Sequence, residues 1–132
     1  VNSGIYSHAV SDQTFAHLAD LARMIINTGY PVILDATFLY KGYRELFHGV
    51  AGELGVPLHL VSCELDDTLI RERISQRQAD GADPSDADIK VYESQLQHAD
   101  PLSAEERDYT TIVDTGSVPD IEQLVAKFNS GS

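Results

Sequence analysis

The chain has 132 residues, 42% of them hydrophobic, and a formal net charge of −12, enough for one domain with a core of its own. Apart from an Asp-rich stretch from Asp80 to Asp88 its acids are scattered, and a surface of that sign repels polyanions, which excludes an extended nucleic-acid interface but leaves room for a local basic pocket. No apolar run is long enough for a membrane span, the N-terminus lacks a signal-peptide layout, and a single cysteine, Cys63, builds no disulfide framework, so the expected setting is a reducing cytoplasm.

Ser11 or Asp12 is placed to cap a first helix, on which Phe15, Leu18, Leu21, Ala22, Ile25 and Ile26 share a face until Gly29 ends it. Pro31 then opens the apolar run Val32-Ile33-Leu34, which Asp35 breaks abruptly. This reads as a buried parallel strand from Pro31 to Ala36 that delivers a carboxylate to the C-terminal edge of a sheet, where open α/β sheets hold their ligands. A second helix is expected from about Lys41 to Leu54, with Tyr43, Leu46, Phe47, Val50, Ala51 and Leu54 on one face and Gly55 as its stop. Val56 to Cys63 is the next strand. Asp66 and Asp67 begin a third helix carrying Leu69, Ile70 and Ile74, which breaks up near Ala79 to Pro84. Ser85, with Asp88 three residues on, restarts a helix through about His98. Thr111 to Val113 is a short last strand, and Ser117 to Phe128 a final helix opening on Pro119 and Asp120. The alternation of helix and strand predicts an α/β domain over residues 1–128, with a mainly parallel sheet and right-handed crossovers, followed by a frayed tail, 129–132.

Asp35 is the leading site residue by position; its plainer alternative is to cap the following turn, with Thr37 merely suited to a strand end. Arg71, Arg73 and Arg77 stand on the third helix, and Arg73 and Arg77, four apart, share a face from which both guanidiniums can converge on one phosphate. A solvated face that neutralises nearby acids is the alternative. Cys63 reads as a buried packing residue. The five histidines show no i, i+4 metal-binding pair, and the six tyrosines are too dispersed for a base-stacking platform.

The string VILDATFL with Arg44 behind it, then GVPLHLVSCE, LIRERISQR and SDADIKVYESQLQHADPL, in that order, resembles the AAA-type small P-loop kinases related to gluconate kinase, polynucleotide kinase and zeta toxin. The likeness runs from Tyr6 to about Thr115. It implies a three-layer α/β fold with helices flanking a mainly parallel sheet, and ATP-dependent phosphoryl transfer to a small-molecule acceptor. ATP and Mg²⁺ are the ligands of the complete domain. It assigns Asp35, with Thr37, to hold Mg²⁺ through water or to take the acceptor's proton. Arg44 would orient the acidic strand end or touch the acceptor, or else only brace the loop. Arg71, Arg73 and Arg77 would be lid residues on the nucleotide. Gln95 resembles a Ser-Gln of the gluconate-kinase pattern but reads better as helix surface.

The family's G-x-x-x-x-G-K-[ST] loop, whose backbone N–H groups cradle phosphates, does not occur in this sequence. Its three lysines, Lys41, Lys90 and Lys127, follow Tyr40, Ile89 and Ala126 rather than glycine. The family's Ser-Asp-x-x-Arg segment is absent as well, residue 1 is Val, and Met24 is the only methionine. The resemblance therefore makes the chain look like the C-terminal two-thirds of a kinase domain, a partial P-loop kinase fold unable by itself to bind ATP·Mg tightly. The absent strand would lie between those of Val32 and Val56, leaving exposed sheet edges and hence a homo-oligomer. Two functions are expected from this: a kinase module without its phosphate loop, or a non-catalytic relative serving as an interaction or assembly domain.

Overall fold

The computed structural model describes residues 8–80 and 86–130. The chain divides into two compact units, Val1–Leu58 and His59–Ser132.

The first unit holds helices α1 (His8–Asn27) and α2 (Lys41–Leu54). Phe15 and Ala19 of α1 pack with Phe47 and Val50 of α2, and Leu18, Leu34, Phe38, Tyr43, Leu46 and Leu54 close around them. Ala19 is 1% exposed, and a small residue there lets the aromatic side chains of the neighbouring helix approach. The buried stripe of α1 is Phe15, Ala19 and Ala22, whereas Leu21 and Ile25 are exposed. The face expected from periodicity is thus rotated toward the alanines, because close helix packing rewards small residues at the contact. Helix α2 ends at Gly55, whose φ of 65° is left-handed. The Val56 N–H then donates to Ala51 O at 3.0 Å, the six-to-one bond of a Schellman cap.

The segment expected to form the site-bearing strand, Pro31 to Ala36, is not in a sheet. Val32 and Leu34 are half-buried while Ile33 is 94% exposed. The alternation is that of extended chain covered on one side only, not of a strand buried on both. A strand exists only through a ladder partner, and among the described residues this segment has none.

The second unit contains the only sheet among the described residues, strands β1 (Leu60–Glu64) and β2 (Thr110–Asp114), parallel and in register from Leu60 opposite Thr110 to Glu64 opposite Asp114. With it are helices α3 (Asp67–Asp80), α4 (Asp86–His98), α5 (Ala104–Arg107) and α6 (Ile121–Ser130). The result is a mixed helix–strand unit with a small parallel sheet. A three-layer arrangement would need more strands than this pair. Ile74 and Val113 are buried, and the His59 ring lies 5.3 Å from that of Phe128.

Several boundaries shift. Strand β1 begins at Leu60 rather than Val56, since only from there does β2 offer partners. Helix α6 begins at Ile121 rather than Ser117, because Asp120 Oδ1 accepts the Gln123 N–H at 3.1 Å and caps it. It continues to Ser130, beyond the expected end at Phe128. The expected restart at Ser85 lies outside the described residues, as does most of the break after Asp80. Helix α5 was unforeseen. Its Ser103 hydroxyl accepts the Glu106 N–H at 3.2 Å while Glu106 Oε1 accepts the Ser103 N–H at 3.1 Å, a complete capping box. Cys63 is exposed rather than buried, because a two-stranded sheet leaves much of β1 uncovered; Val61 and Ile112 are exposed for the same reason. Among the described residues no helix is long and apolar enough to cross a membrane.

Candidate functional site

In the first unit the connection from α1 to α2 carries Asp35 and Thr37, and Arg44 follows on α2. Leu34 and Phe38 both pack on the core, so the three residues between them, Asp35, Ala36 and Thr37, bow outward and are exposed. Phe38 has φ of 44°, a conformation that a bulky L side chain adopts only when its surroundings impose it. Two contacts do so. Its ring centroid lies 5.2 Å from that of Phe15 and 5.4 Å, edge-on, from that of Phe47. Its carbonyl oxygen accepts a hydrogen bond from Arg44 Nη1 at 2.9 Å, and the same nitrogen reaches Leu39 O at 3.3 Å.

Arg44 is 6% exposed, on the first turns of α2. A guanidinium so buried demands acceptors for its donors, and no buried side-chain nitrogen or oxygen among the described residues is left without a partner. Of the roles open to Arg44 from sequence, bracing the loop is the one its geometry displays.

The three arginines of α3 are in the second unit and do different things. Arg71 donates from Nε to Asp67 Oδ2 and from Nη1 to Glu93 Oε1 of α4, each at 3.0 Å, and sits over the Tyr92 ring, 5.4 Å from its centroid. The Tyr92 hydroxyl donates to Asp67 Oδ1 at 2.7 Å. That hydroxyl and the Arg71 guanidinium together lower the Asp67 carboxyl below its ordinary range, and the two carboxylates raise Arg71. Arg71 therefore ties α4 to α3. Arg73 is exposed and donates from Nη2 to Thr115 O at 2.9 Å. It meets the place where the sheet ends, since the Thr115 N–H and hydroxyl both donate to Glu64 O, at 2.9 and 3.0 Å. Arg77 is exposed in the last turn of α3, where a cation complements the helix dipole.

Asp35 and Thr37 thus belong to one unit and Arg71, Arg73 and Arg77 to the other. Within the first unit Arg44, on α2, reaches the loop that carries Asp35 and Thr37; within the second, Arg71 lies two and six residues from Arg73 and Arg77 and so faces away from both. Gln95 is half-buried on α4. Among the described residues no group of three His, Cys, Asp or Glu could hold a metal ion. The depression lined by Thr68, Arg71, Glu72, Ser75 and Gln76 lies along one helix and encloses nothing. Sequence reasoning missed Phe38, for which no signal exists in the residue type, and Glu106, for which the Ser-x-x-Glu spacing of 103–106 was the signal.

A family model described as an AAA domain matches residues 1–102. No curated protein and no solved structure matches the chain.

Proposed function

The chain belongs to the AAA domain family, P-loop NTPase-like proteins whose members suggest a nucleotide-binding domain, and from that membership we propose that it forms part of an ATP-dependent phosphotransferase acting on a small-molecule acceptor. One observation carries the reading to particular residues: Leu34 and Phe38 are fixed in the core while Asp35 and Thr37, between them, face solvent. A carboxylate and a hydroxyl two residues apart on an anchored loop are the oxygen donors that phosphoryl transfer uses to orient an acceptor and a hydrated Mg²⁺. Mg²⁺ keeps most of its waters and takes one or two carboxylates plus substrate phosphates, so a lone exposed Asp35 fits it, although no dedicated cage exists among the described residues. When bound, the ion neutralises charge on the phosphoryl oxygens. Asp35 contributes a carboxylate, to the ion through water or to the acceptor's proton, and Thr37 a hydroxyl beside it. For the second unit, taken by itself, Arg71, Arg73 and Arg77 are proposed as phosphate-facing cations, Arg71 being the weakest of the three because Asp67 and Glu93 already hold it.

The phosphate cradle itself is not in these 132 residues. Calorimetry on this chain with ATP·Mg is expected to give weak or no binding, and sub-micromolar affinity would overturn the assignment of phosphate binding to a segment outside it. When the chain is joined to a G-x-x-x-x-G-K-[ST] segment of its family, Asp35→Asn should lower phosphoryl transfer by about two or more orders of magnitude at nearly unchanged stability. Full activity in that variant removes Asp35 from the site.

A second reading, a non-catalytic interaction or assembly domain, is favoured by a different observation. Strands β1 and β2 pair only with each other among the described residues, and the outer edges of a parallel pair are open to a further strand.

A further inference from the structure

The loop that carries Asp35 combines three features whose joint effect neither the sequence nor the family membership assigns. Its flanking residues, Leu34 and Phe38, are both packed into the core. The second anchor is a phenylalanine in the left-handed region, φ 44°. The carbonyl that this backbone turn points inward is taken up by a guanidinium only 6% exposed. A left-handed phenylalanine would relax to an ordinary conformation unless both its ring and its carbonyl were held, and relaxing it would swing Thr37 and Asp35 away from their present positions, because φ of Phe38 sets the direction of the chain entering it.

We propose that Arg44 and Phe38 are positioning residues: the Arg44 guanidinium, through the Phe38 and Leu39 carbonyls, locks the backbone so that the Asp35 carboxylate and the Thr37 hydroxyl are presented in one fixed arrangement. Arg44 acts through the loop and does not contact the acceptor. The inference rests on the reading of Asp35 and Thr37 as the cation- and acceptor-facing residues. Preorganising donors in this manner spares the ordering entropy at the moment of binding, which gives a strained backbone a use.

The test uses the 132-residue chain labelled with ¹⁵N, in the native form and as Arg44→Gln, Arg44→Lys and Phe38→Gly. The three-bond amide–Hα coupling of residue 38 reports its φ directly, and backbone order parameters report the rigidity of residues 35–38. In the native chain these residues should be as ordered as the helices, with order parameters near about 0.85. Arg44→Gln should average the coupling and drop the order parameters of 35–38 below about 0.6 while α1 and α2 keep theirs. Arg44→Lys keeps the charge but not the planar, rigid guanidinium whose Nη1 reaches both carbonyls, and should give an intermediate result. Phe38→Gly tolerates the left-handed conformation but loses the ring anchor, so it too should loosen the loop. Unchanged coupling and order in the Arg44 variants would overturn the proposal. If Arg44→Gln unfolds the chain, Arg44→Lys decides it on the same readouts. Mn²⁺, as a probe for Mg²⁺, separates the two layers of the argument. Broadening of the Asp35 and Thr37 amides that requires several-fold more Mn²⁺ in Arg44→Gln supports both. An ordered native loop that loosens in the variants yet shows no Mn²⁺ broadening would sustain the positioning role and remove the cation-facing reading of Asp35.

Discussion

The Tyr43 hydroxyl donates to Asp12 Oδ1 at 2.6 Å across 31 positions of sequence, and the same ring stacks on Phe15, centroid to centroid 4.1 Å at 18°. One side chain of α2 thereby grips α1 twice, once through its ring and once through its hydroxyl. The hydrogen bond to a carboxylate, reinforced by partial desolvation, pushes the Tyr43 phenol up to about 12.

Tyr43→Phe keeps the stack and removes only the hydroxyl. It should cost about 1 kcal/mol at neutral pH, as for other hydrogen bonds to a charged acceptor near the surface, read as a lower thermal or urea midpoint. The pH dependence follows from the sign of the shift. The folded chain holds the phenolic proton more tightly than the unfolded chain, so this contribution is fully present below the ordinary tyrosine value near 10 and is lost as pH rises through about 12. Melting curves collected up that range should converge for the native chain and Tyr43→Phe; a constant gap would mean that the hydroxyl contributes nothing through Asp12.

Phe47 is 5% exposed and meets Phe15 and Phe38 edge-on, at 6.4 and 5.4 Å. Phe47→Ala should destabilise by about 3–5 kcal/mol, the transfer loss plus an unfilled cavity, a large share of any small domain's stability. Denaturant unfolding measures it, with a loss under about 1 kcal/mol contradicting the packing described.

Helix α5 is four residues long, too short to persist on propensity, and its capping box is what defines it. Ser103→Ala should cost about 1 kcal/mol and Ser103→Asp much less, since aspartate caps as well as serine. Equal midpoints for Ser103→Ala and the native chain would show that the box is ornamental to stability.

Self-association is expected at tens of micromolar, with sedimentation showing a dimer or larger. The outer edges of β1 and β2 carry ladder groups that another strand can satisfy, and Val61 and Ile112 are exposed beside them. A monomer over the whole concentration range would count against the assembly reading.

Read in residue order, the sequence was sufficient for what local chemistry governs. Periodicity and glycine stops located α1 and α2, although α1 already runs at His8 and so holds the expected caps Ser11 and Asp12 inside it; Asp66 and Asp67 marked the start of α3, and the short apolar runs around Val61 and Ile112 became the two paired strands. The lack of a phosphate-cradling motif is likewise a property of the residues alone. What depended on partners distant in sequence was decided only by the tertiary structure. The run at Val32 has the composition of a strand, but without a neighbouring ladder it is extended chain with Ile33 in solvent. Spacing already set Arg71 apart from Arg73 and Arg77, but only the fold supplied Glu93, on another helix, as its partner. Phe38 is an ordinary aromatic by type, and only the rings of Phe15 and Phe47 and the guanidinium of Arg44 hold its backbone left-handed. Local sequence sets which conformations are cheap, whereas pairing, burial and counter-charge choose among them, and those are supplied by residues that the chain brings near only when it folds.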